Sequence, residues 1–484
     1  MVVHDTAGRT SSGRNGGRLR RPCDLLVSGG TILDLDAPTG VAAADTVVVV
    51  GDEIAAVGQA ADMADVWEPG ETIDARGHYV APGFVDGHVH LAAYLGAAAP
   101  YQPARGPGLF SGATRTQEIL PRIVQMCRAP VSDEVVAAIT RPVYAALARA
   151  GCTGVVDAGS AGHRGLAQAA HEVGVRAAIG PTVADTWHDE RGRLLRWDNP
   201  LAVLEAAESV ASDIDGAGGG LVRSVVSAIE TMACSDELLR GLADLVERLD
   251  LPTHVHTHIS PPSVEEHCRT RGVSPTATLL DAGLLTPRCT VMHVGALTED
   301  DIETFAACGV TANHNPLGNA MLGFGTAHAR SLPRLLAASV PVLLGSDYAP
   351  SMMATPFDLI RACLIVHREA AAADDAITLE QALSMSLDTG TALGHPGRLG
   401  RIEPGRLADL ICVRRNGAHH VGVTHPVPGL ALRARAADVT TTIVGGRIVV
   451  RDGRLASVDE AEVVAEAERA LAHLRGGPPA AASH

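Results

Sequence analysis

The stretch APGFVDGHVH at residues 81–90 places two histidines at the end of a short apolar run. Seven more apolar runs follow along the chain, and a segment with helical periodicity comes after each. The eight runs begin near Phe84, Gly154, Val175, Leu221, Thr253, Cys289, Val310 and Val342. Eight strand–helix units over roughly 310 residues predict an α/β fold whose parallel strands form a (β/α)8 TIM barrel.

Helix-capping signals support these units. Ser235 precedes DELLRGLADLVERL, and Thr298 stands three residues before Asp301 in capping-box spacing, ahead of a helix that Gly309 ends. A doubly wound parallel sheet is the alternative, but that fold usually shows a G-x-G-x-x-G loop after its first strand. The sequence contains no such loop, so the barrel is favoured.

Both ends of the chain are rich in short β-like segments. Gly445-Gly446 and Asp452-Gly453 are hairpin signals near the C-terminus. We therefore expect the N- and C-terminal segments to form one small β-sandwich beside the barrel. The predicted divisions are a disordered tail at 1–21, the two sandwich parts at 22–80 and 396–458, the barrel at 81–395, and a C-terminal helix and tail at 459–484.

Composition excludes several classes of function. The chain has 484 residues and a net charge of −16, whereas a nucleic-acid binder needs a basic face. All 39 basic residues are arginine, which excludes chemistry that depends on lysine. The nine cysteines form no C-x-x-C pair, and no apolar run has the length of a membrane span. We expect a cytoplasmic protein with a small-molecule substrate and without nucleic-acid or membrane partners.

Groups that bind metals follow four of the eight predicted strands, at the strand ends where barrel enzymes hold their chemistry. They are His88 and His90 of the first strand, His254, His256 and His258 of the fifth, His293 of the sixth and Asp347 of the eighth. Residues two apart on a strand share a face, so His88 and His90 can hold one ion together. Imidazoles with one carboxylate suit Zn²⁺ or a similar divalent ion that activates water.

The sequence also resembles the amidohydrolase superfamily, most closely its cytosine deaminase, guanine deaminase and triazine-hydrolase branch. The resemblance runs from about Asp24 to Leu455. It is carried, in order, by APGFVDGHVHL, HVHTH, VMHVGAL, GVTANHNPLGNAMLG, LLGSDYAPS and LGRIEPGRLADLICV. Members of this branch hold a single metal ion on a TIM barrel, and many are homo-oligomers, so both properties are expected here.

The resemblance assigns roles to individual residues. It implies that His88, His90, His258 and Asp347 bind one divalent metal ion. Zinc is the expected metal, and iron or another divalent ion is the alternative. His256 remains the alternative to His258. Asp347 would also take a proton from water, and His293 would orient that water. The substrate pocket would include His314 and Asn319, which belong to a His-x-Pro-x-x-Asn segment, and Glu230, which follows the fourth strand. The alternative for the His-x-Pro-x-x-Asn segment is a turn that only closes the seventh strand.

One departure from the branch affects the predicted reaction. Its deaminases usually carry a glutamate three residues after the fifth-strand histidine, where this chain has Pro261. Because ammonia leaves a ring only after ring protonation, we expect hydrolysis of a nonpeptide C–N bond of the amide, urea or carbamate type. The alternatives are a deaminase or dehalogenase of a purine, pyrimidine or triazine-like ring, and a noncatalytic scaffold.

Overall fold

The computed structural model describes residues 20–91, 131–188, 194–347, 354–387 and 390–474. The predicted tail at 1–21 therefore lies almost entirely outside the described residues, as does the end of the segment 459–484. Strands and helices alternate through the middle of the chain, which confirms the α/β class.

Short β-strands occur along the chain from Arg21 to Leu455. They are β1 (Arg21–Ser28), β2 (Thr31–Ile32), β3 (Thr46–Val50), β4 (Glu53–Gly58), β5 (Trp67–Asp74), β6 (His78–Pro82), β7 (Phe84–Val89), β8 (Cys152–Asp157), β9 (Arg176–Ile179), β10 (Thr182–Val183), β11 (Thr186–His188), β12 (Leu194–Arg196), β13 (Val222–Ser224), β14 (Val226–Ala228), β15 (Thr253–Thr257), β16 (Cys289–His293), β17 (Thr311–His314), β18 (Val342–Leu344), β19 (Leu410–Arg414), β20 (Val439–Val444), β21 (Arg447–Arg451) and β22 (Arg454–Leu455).

The helices lie mainly between the central strands. They are Ala60–Val66, Asp133–Arg149, His163–Val173, Pro200–Ile214, Ala217–Gly220, Asp236–Arg248, Pro261–Arg271, Pro275–Asp281, Glu299–Cys308, Pro316–Met321, Ser331–Ala337, Pro356–Ala371, Leu379–Ser384, Pro426–Pro428 and Glu460–Leu474. Short 3-10 turns cover Thr231–Ala233, Ala418–His420 and Ala436–Asp438, and a π-helical turn covers Gly429–Arg433.

The central strands pair in parallel. One sheet has the order β13-β9-β8-β7 and the other the order β10-β14-β15-β16-β17-β18. The two sheets are joined by the chain itself, which runs from β9 into β10 and from β13 into β14. On the other side, β7 and the end of β18 are neighbours through a parallel bridge between Val89 and Asp347. The carboxyl ends of all these strands therefore open on one side.

Strands from both termini share a second pair of sheets. β6 pairs antiparallel with β19, in a six-stranded sheet of order β2-β6-β19-β20-β21-β22. A four-stranded sheet, β4-β3-β1-β5, packs against it across an apolar cluster that includes Val27, Val47, Val80 and Leu410. Arg176 of β9 and Asp409 connect these sheets to the central strands through a buried, two-fold hydrogen-bonded ion pair.

The predicted turns and caps are present. Ser235 accepts a hydrogen bond from Leu238 N, and Thr298 and Asp301 form a reciprocal capping box. The β20–β21 hairpin turns at Gly445 and Gly446, both of which have positive φ. Asp452 and Gly453 do the same between β21 and β22. Positive φ at both central residues is the geometry that a tight two-residue hairpin requires.

Candidate metal centre

Five polar side chains converge at the carboxyl ends of the central strands. They form two overlapping sets, and the potential ligand atoms within each set lie within 4.8 Å of one another. One set is His88, His90 and His256, and the other is His88, His293 and Asp347. The ring centroid of His88 is 5.0 Å from that of His90 and 4.9 Å from that of His256. Asp347 Oδ1 lies 3.4 Å from His88 Nε2 and 3.5 Å from His90 Nε2.

The fifth-strand histidine that lies in this group is His256, the alternative named above, whereas His258 lies outside it. β15 ends at Thr257, and His258 leaves the extended conformation with a φ of 50°. The alternation that would have placed both histidines on one face therefore breaks at His258. Its ring points away, with Nε2 3.3 Å from Thr276 Oγ1 and 3.8 Å from Asp301 Oδ2.

Left-handed backbone conformations are concentrated around the centre. His258, His293, Val294 and Asp347 all have φ between 43° and 72°, although none is glycine. Such a conformation costs a non-glycine residue on the order of 1 kcal/mol or more, and it persists where surrounding contacts enforce it. Here it turns the chain sharply at the ends of β15, β16 and β18 and aims His293 and Asp347 at the cluster.

Two glycines leave room for the carboxylate of Asp347 and for His88. A Cβ atom added at Gly318 would lie 2.5 Å from Asp347 Oδ2, and one added at Gly345 would lie 2.6 Å from His88 Cβ. Both separations are shorter than the contacts that Cβ atoms make in real proteins. The glycines of the segments HNPLGN and LLGSD are thus needed so that Asp347 and His88 can approach each other.

Burial fixes the charge of the histidines. It lowers the pKa of His88 to about 3, and it lowers the pKa of His90 and, more strongly, that of His256. The rings are therefore neutral at physiological pH, which is the form that binds metals. For Asp347, burial raises the pKa, but the hydrogen bond with His88 and the neighbouring imidazoles outweigh burial and leave the pKa below its ordinary value.

Several buried atoms of the centre have no hydrogen-bond partner among the described residues. They are both ring nitrogens of His256 and Asp347 Oδ2. A buried polar atom left unpaired costs about 1–3 kcal/mol. A divalent ion held by these atoms would satisfy them, and imidazole nitrogens with a carboxylate are a donor set typical of zinc. The residues present therefore fit a metal ion.

The residues around the ligands hold them in place. His88 Nδ1 lies 3.0 Å from Met292 Sδ, which leaves Nε2 facing the cluster. Asp86 Oδ1 accepts hydrogen bonds from Ser346 N at 3.0 Å and His88 N at 3.3 Å, and so ties β7 to the segment after β18. Burial raises the pKa of this carboxyl to about 6. Asp86 and Met292 were not among the residues predicted from the sequence, although Asp86 lies within the motif that contains His88.

The three predicted pocket residues occupy different surroundings. Asn319 Oδ1 lies 3.0 Å and Asn315 Nδ2 lies 3.3 Å from His293 Nδ1, so these two amides orient that ring. His314 lies at the end of β17, and its Nε2 is 2.9 Å from Nε2 of His367. Glu230 is buried, with Oε2 accepting from Met232 N at 2.6 Å. Sequence reasoning missed His367, because a lone histidine inside a helix carries no motif.

Glu265 and Glu266 do not replace the carboxylate that is missing at position 261. Both lie on the helix Pro261–Arg271. Glu265 is exposed, and Glu266 pairs with Arg269 on the same helix. Counted from His256 instead of His258, the residue three positions later is Ile259, which is not an acid either.

Within the described residues, none of the helices combines the length and the apolar character that crossing a bilayer requires.

Comparison with known proteins places the chain among metal-dependent hydrolases. The sequence profile of the amidohydrolase family matches residues 79–449. The 5-methylthioadenosine/S-adenosylhomocysteine deaminase of Syntrophobacter fumaroxidans is 31% identical over 444 residues, which are 91% of this chain and 96% of that protein. The 5'-deoxyadenosine deaminase of Methanothermobacter thermautotrophicus is 27% identical and is matched over 93% of this chain and 99% of its own length.

Solved structures share the fold. An adenosine deaminase from Xanthomonas campestris with bound zinc superposes with a TM-score of 0.80 at 24% identity, over 95% of this chain and all of that one. An atrazine chlorohydrolase from Arthrobacter aurescens, complexed with zinc, gives a TM-score of 0.77 at 21% identity, over 92% of this chain and all of that one.

Proposed function

The chain belongs to the amidohydrolase family and is a hydrolase of nonpeptide carbon–nitrogen bonds; from this premise we propose that it releases ammonia or an amine from a ring carbon of a purine-type heterocycle. The relatives described above are named as deaminases of adenine nucleosides. The observation that carries the proposal is the convergence of His88, His90, His256, His293 and Asp347, together with the unpaired ring nitrogens of His256 and the unpaired Oδ2 of Asp347.

The proposed architecture is a (β/α)8 barrel with a β-sandwich beside it. Successive parallel pairing of the central strands, together with the bridge from Val89 to Asp347, supports the barrel over 81–395. Shared apolar packing of the two terminal sheets supports the sandwich over 22–80 and 396–458. Ion pairing between Arg149 and Glu460 supports a C-terminal helix that packs on the outside of the barrel.

The proposed centre holds one divalent ion, with zinc as the preferred metal. His88, His90, His256 and Asp347 would be its ligands. When bound, such an ion acts as a Lewis acid that lowers the pKa of water and polarises the bond to be cleaved. This assignment exchanges His256 for His258 and keeps the rest of the ligand set expected from the sequence.

Two side chains of the centre can move protons. His293 Nδ1 lies 3.0 Å from Asn319 Oδ1, which can accept its proton. In the tautomer with the proton on Nδ1, the ring has a lone pair at Nε2 that can accept a proton from water. Asp347 Oδ2 has no hydrogen-bond partner among the described residues and can hold a second proton. Asn319 therefore acts as a positioning residue for His293, rather than only as a lining of the pocket.

A second substrate class is favoured by one specific observation. Neither Ile259 nor Pro261 can protonate a ring nitrogen. An amide, urea or carbamate needs no such proton, because its carbonyl is the group that becomes polarised. This class remains the alternative to the heterocycle.

The test is a substrate panel assayed with zinc-loaded protein. One arm contains 5'-methylthioadenosine, S-adenosylhomocysteine and 5'-deoxyadenosine, with ammonia release as the readout. The other arm contains aryl carbamates, ureas and amides, with amine release as the readout. Asp347→Asn should abolish turnover of the true substrate, whereas the matched control Asp300→Asn, at an exposed aspartate, should not. Turnover confined to the second arm would replace the proposed reaction by the alternative.

A further inference from the structure

A second group of metal-binding side chains lies far along the chain from the candidate centre. It consists of His419 and His420, in the 3-10 turn Ala418–His420, and Asp438, in the 3-10 turn Ala436–Asp438. None of them belongs to the parallel central strands. The candidate metal centre uses none of these residues, and the sequence analysis did not single them out.

The three side chains are arranged around one point. His419 Nε2 lies 2.8 Å and His420 Nε2 lies 3.6 Å from the same atom, Asp438 Oδ2. The two imidazole centroids are 4.5 Å apart. Nitrogen and oxygen ligands about 2.0–2.1 Å from a tetrahedral zinc ion stand about 3.4 Å from each other. The observed separations lie on either side of that value, so a small adjustment of the His419 ring would place all three ligands around one ion.

His420 provides independent evidence for a ligand. Its side chain is fully buried, yet neither ring nitrogen has a hydrogen-bond partner among the described residues. The nearest aromatic neighbour, Tyr79, offers a ring edge at a centroid distance of 6.1 Å and no hydrogen bond to it. An imidazole has at least one donor or acceptor on each nitrogen, so burial without partners is costly. A cation at Nε2 would remove part of this cost.

The surroundings hold the ligands and leave access for water. Arg435 N donates to Asp438 Oδ2 at 2.9 Å and fixes the carboxylate. His419 lines an open cavity of about 500 Å³, together with Asp358, Arg361 and Arg433. Water in this cavity can complete the coordination of an ion. The arginines oppose a cation, which favours a moderate affinity over a very tight one.

We propose that His419, His420 and Asp438 bind a second divalent metal ion, of the zinc class, that is separate from the catalytic ion. The ion joins two turns that lie 18 residues apart in the sequence and contribute to one surface beside β6. Its role is to stabilise this segment, because the site lacks the strand-end setting of the catalytic centre. The proposal does not depend on which substrate the enzyme hydrolyses.

Zinc stoichiometry tests the proposal. Wild type, His88→Asn, His420→Asn and the double variant are stripped with a chelator, reloaded with zinc, passed through gel filtration and analysed for metal. We expect each single variant to retain one zinc ion fewer than wild type and the double variant to retain none. His425→Asn, at an exposed histidine of the same segment, is the matched control and should retain both ions. Equal zinc content in wild type and His420→Asn would overturn the proposal.

A second measurement covers the case in which His420→Asn folds poorly. In the His88→Asn background, zinc should raise the melting temperature, and its affinity should fall by at least about tenfold when Asp438→Asn is added. X-ray absorption at the zinc edge of His88→Asn should show two imidazole ligands. A zinc-independent melting temperature in His88→Asn would refute the second site while leaving the catalytic centre unaffected.

Discussion

Substituting Gly318 by alanine tests whether the mechanism depends on the position of Asp347. Gly318 lies in the helix Pro316–Met321, and its φ is not in the left-handed region. Alanine is therefore compatible with its backbone, and in a helix alanine is favoured over glycine by about 1 kcal/mol. This preference offsets part of the cost of crowding Asp347, so the free energy of unfolding should fall by no more than about 2 kcal/mol.

The effect on catalysis should be larger. The new Cβ would lie 2.5 Å from Asp347 Oδ2 and 2.6 Å from Asp347 Cβ, whereas ordinary contacts begin at 3.4 Å. Asp347 must therefore move by about 1 Å, and a displacement of that size in a reacting group can cost on the order of a hundredfold in rate. This corresponds to about 2.7 kcal/mol of transition-state stabilisation.

The assay measures kcat on the identified substrate, zinc content and thermal unfolding for Gly318→Ala. The matched control is Gly241→Ala, in the helix Asp236–Arg248, where the new Cβ meets only the flexible end of Leu204. The control should keep its rate. If Gly318→Ala keeps kcat within about twofold of wild type, Asp347 does not hold the position on which the mechanism depends.

Three further perturbations test other parts of the account. His256→Asn should lose the catalytic zinc ion and turnover, whereas His258→Asn should retain the ion; metal analysis that finds the reverse would restore His258 as the ligand. Burial raises the pKa of Glu230 to about 7, so the folded state binds the Glu230 proton more tightly than the unfolded state does. The resulting contribution to the free energy of unfolding is present at low pH and is lost as the pH rises towards 7. Unfolding by urea across pH 4 to 8 should therefore show a decline that is smaller in Glu230→Gln, and an equal decline in both proteins would contradict the assignment. Arg176→Ala should lower the free energy of unfolding by about 3–5 kcal/mol because it leaves the buried Asp409 carboxylate unpaired; a loss below about 1 kcal/mol in chemical denaturation would show that the ion pair contributes little.

Much of the architecture could be predicted because local patterns determine it. Ser235, Thr298 and the glycines at 445 and 446 carry caps and turns whose chemistry is local, and the structure contains each of them. Alternation of apolar runs with helical segments indicated the α/β class for the same reason. Pairing between β6 and β19 joins residues more than 300 positions apart. It was predicted only because both ends of the chain are rich in short β-like segments.

The choice between His256 and His258 could not be made from the sequence. Alternation along a strand gives both residues the same face, and it holds only while the strand continues. The strand ends at Thr257, and the left-handed backbone of His258 sends that ring towards Thr276. The partners of Asn319 and His314 were equally inaccessible, because contacts with His293 and His367 depend on how separate elements pack.

Anomalous scattering at the zinc edge from crystals of the zinc-loaded protein would locate the catalytic ion. We expect a peak about 2 Å from imidazole nitrogens of His88, His90 and His256 and from a carboxylate oxygen of Asp347. A protein that turns over substrate while showing no peak at these side chains would contradict this expectation.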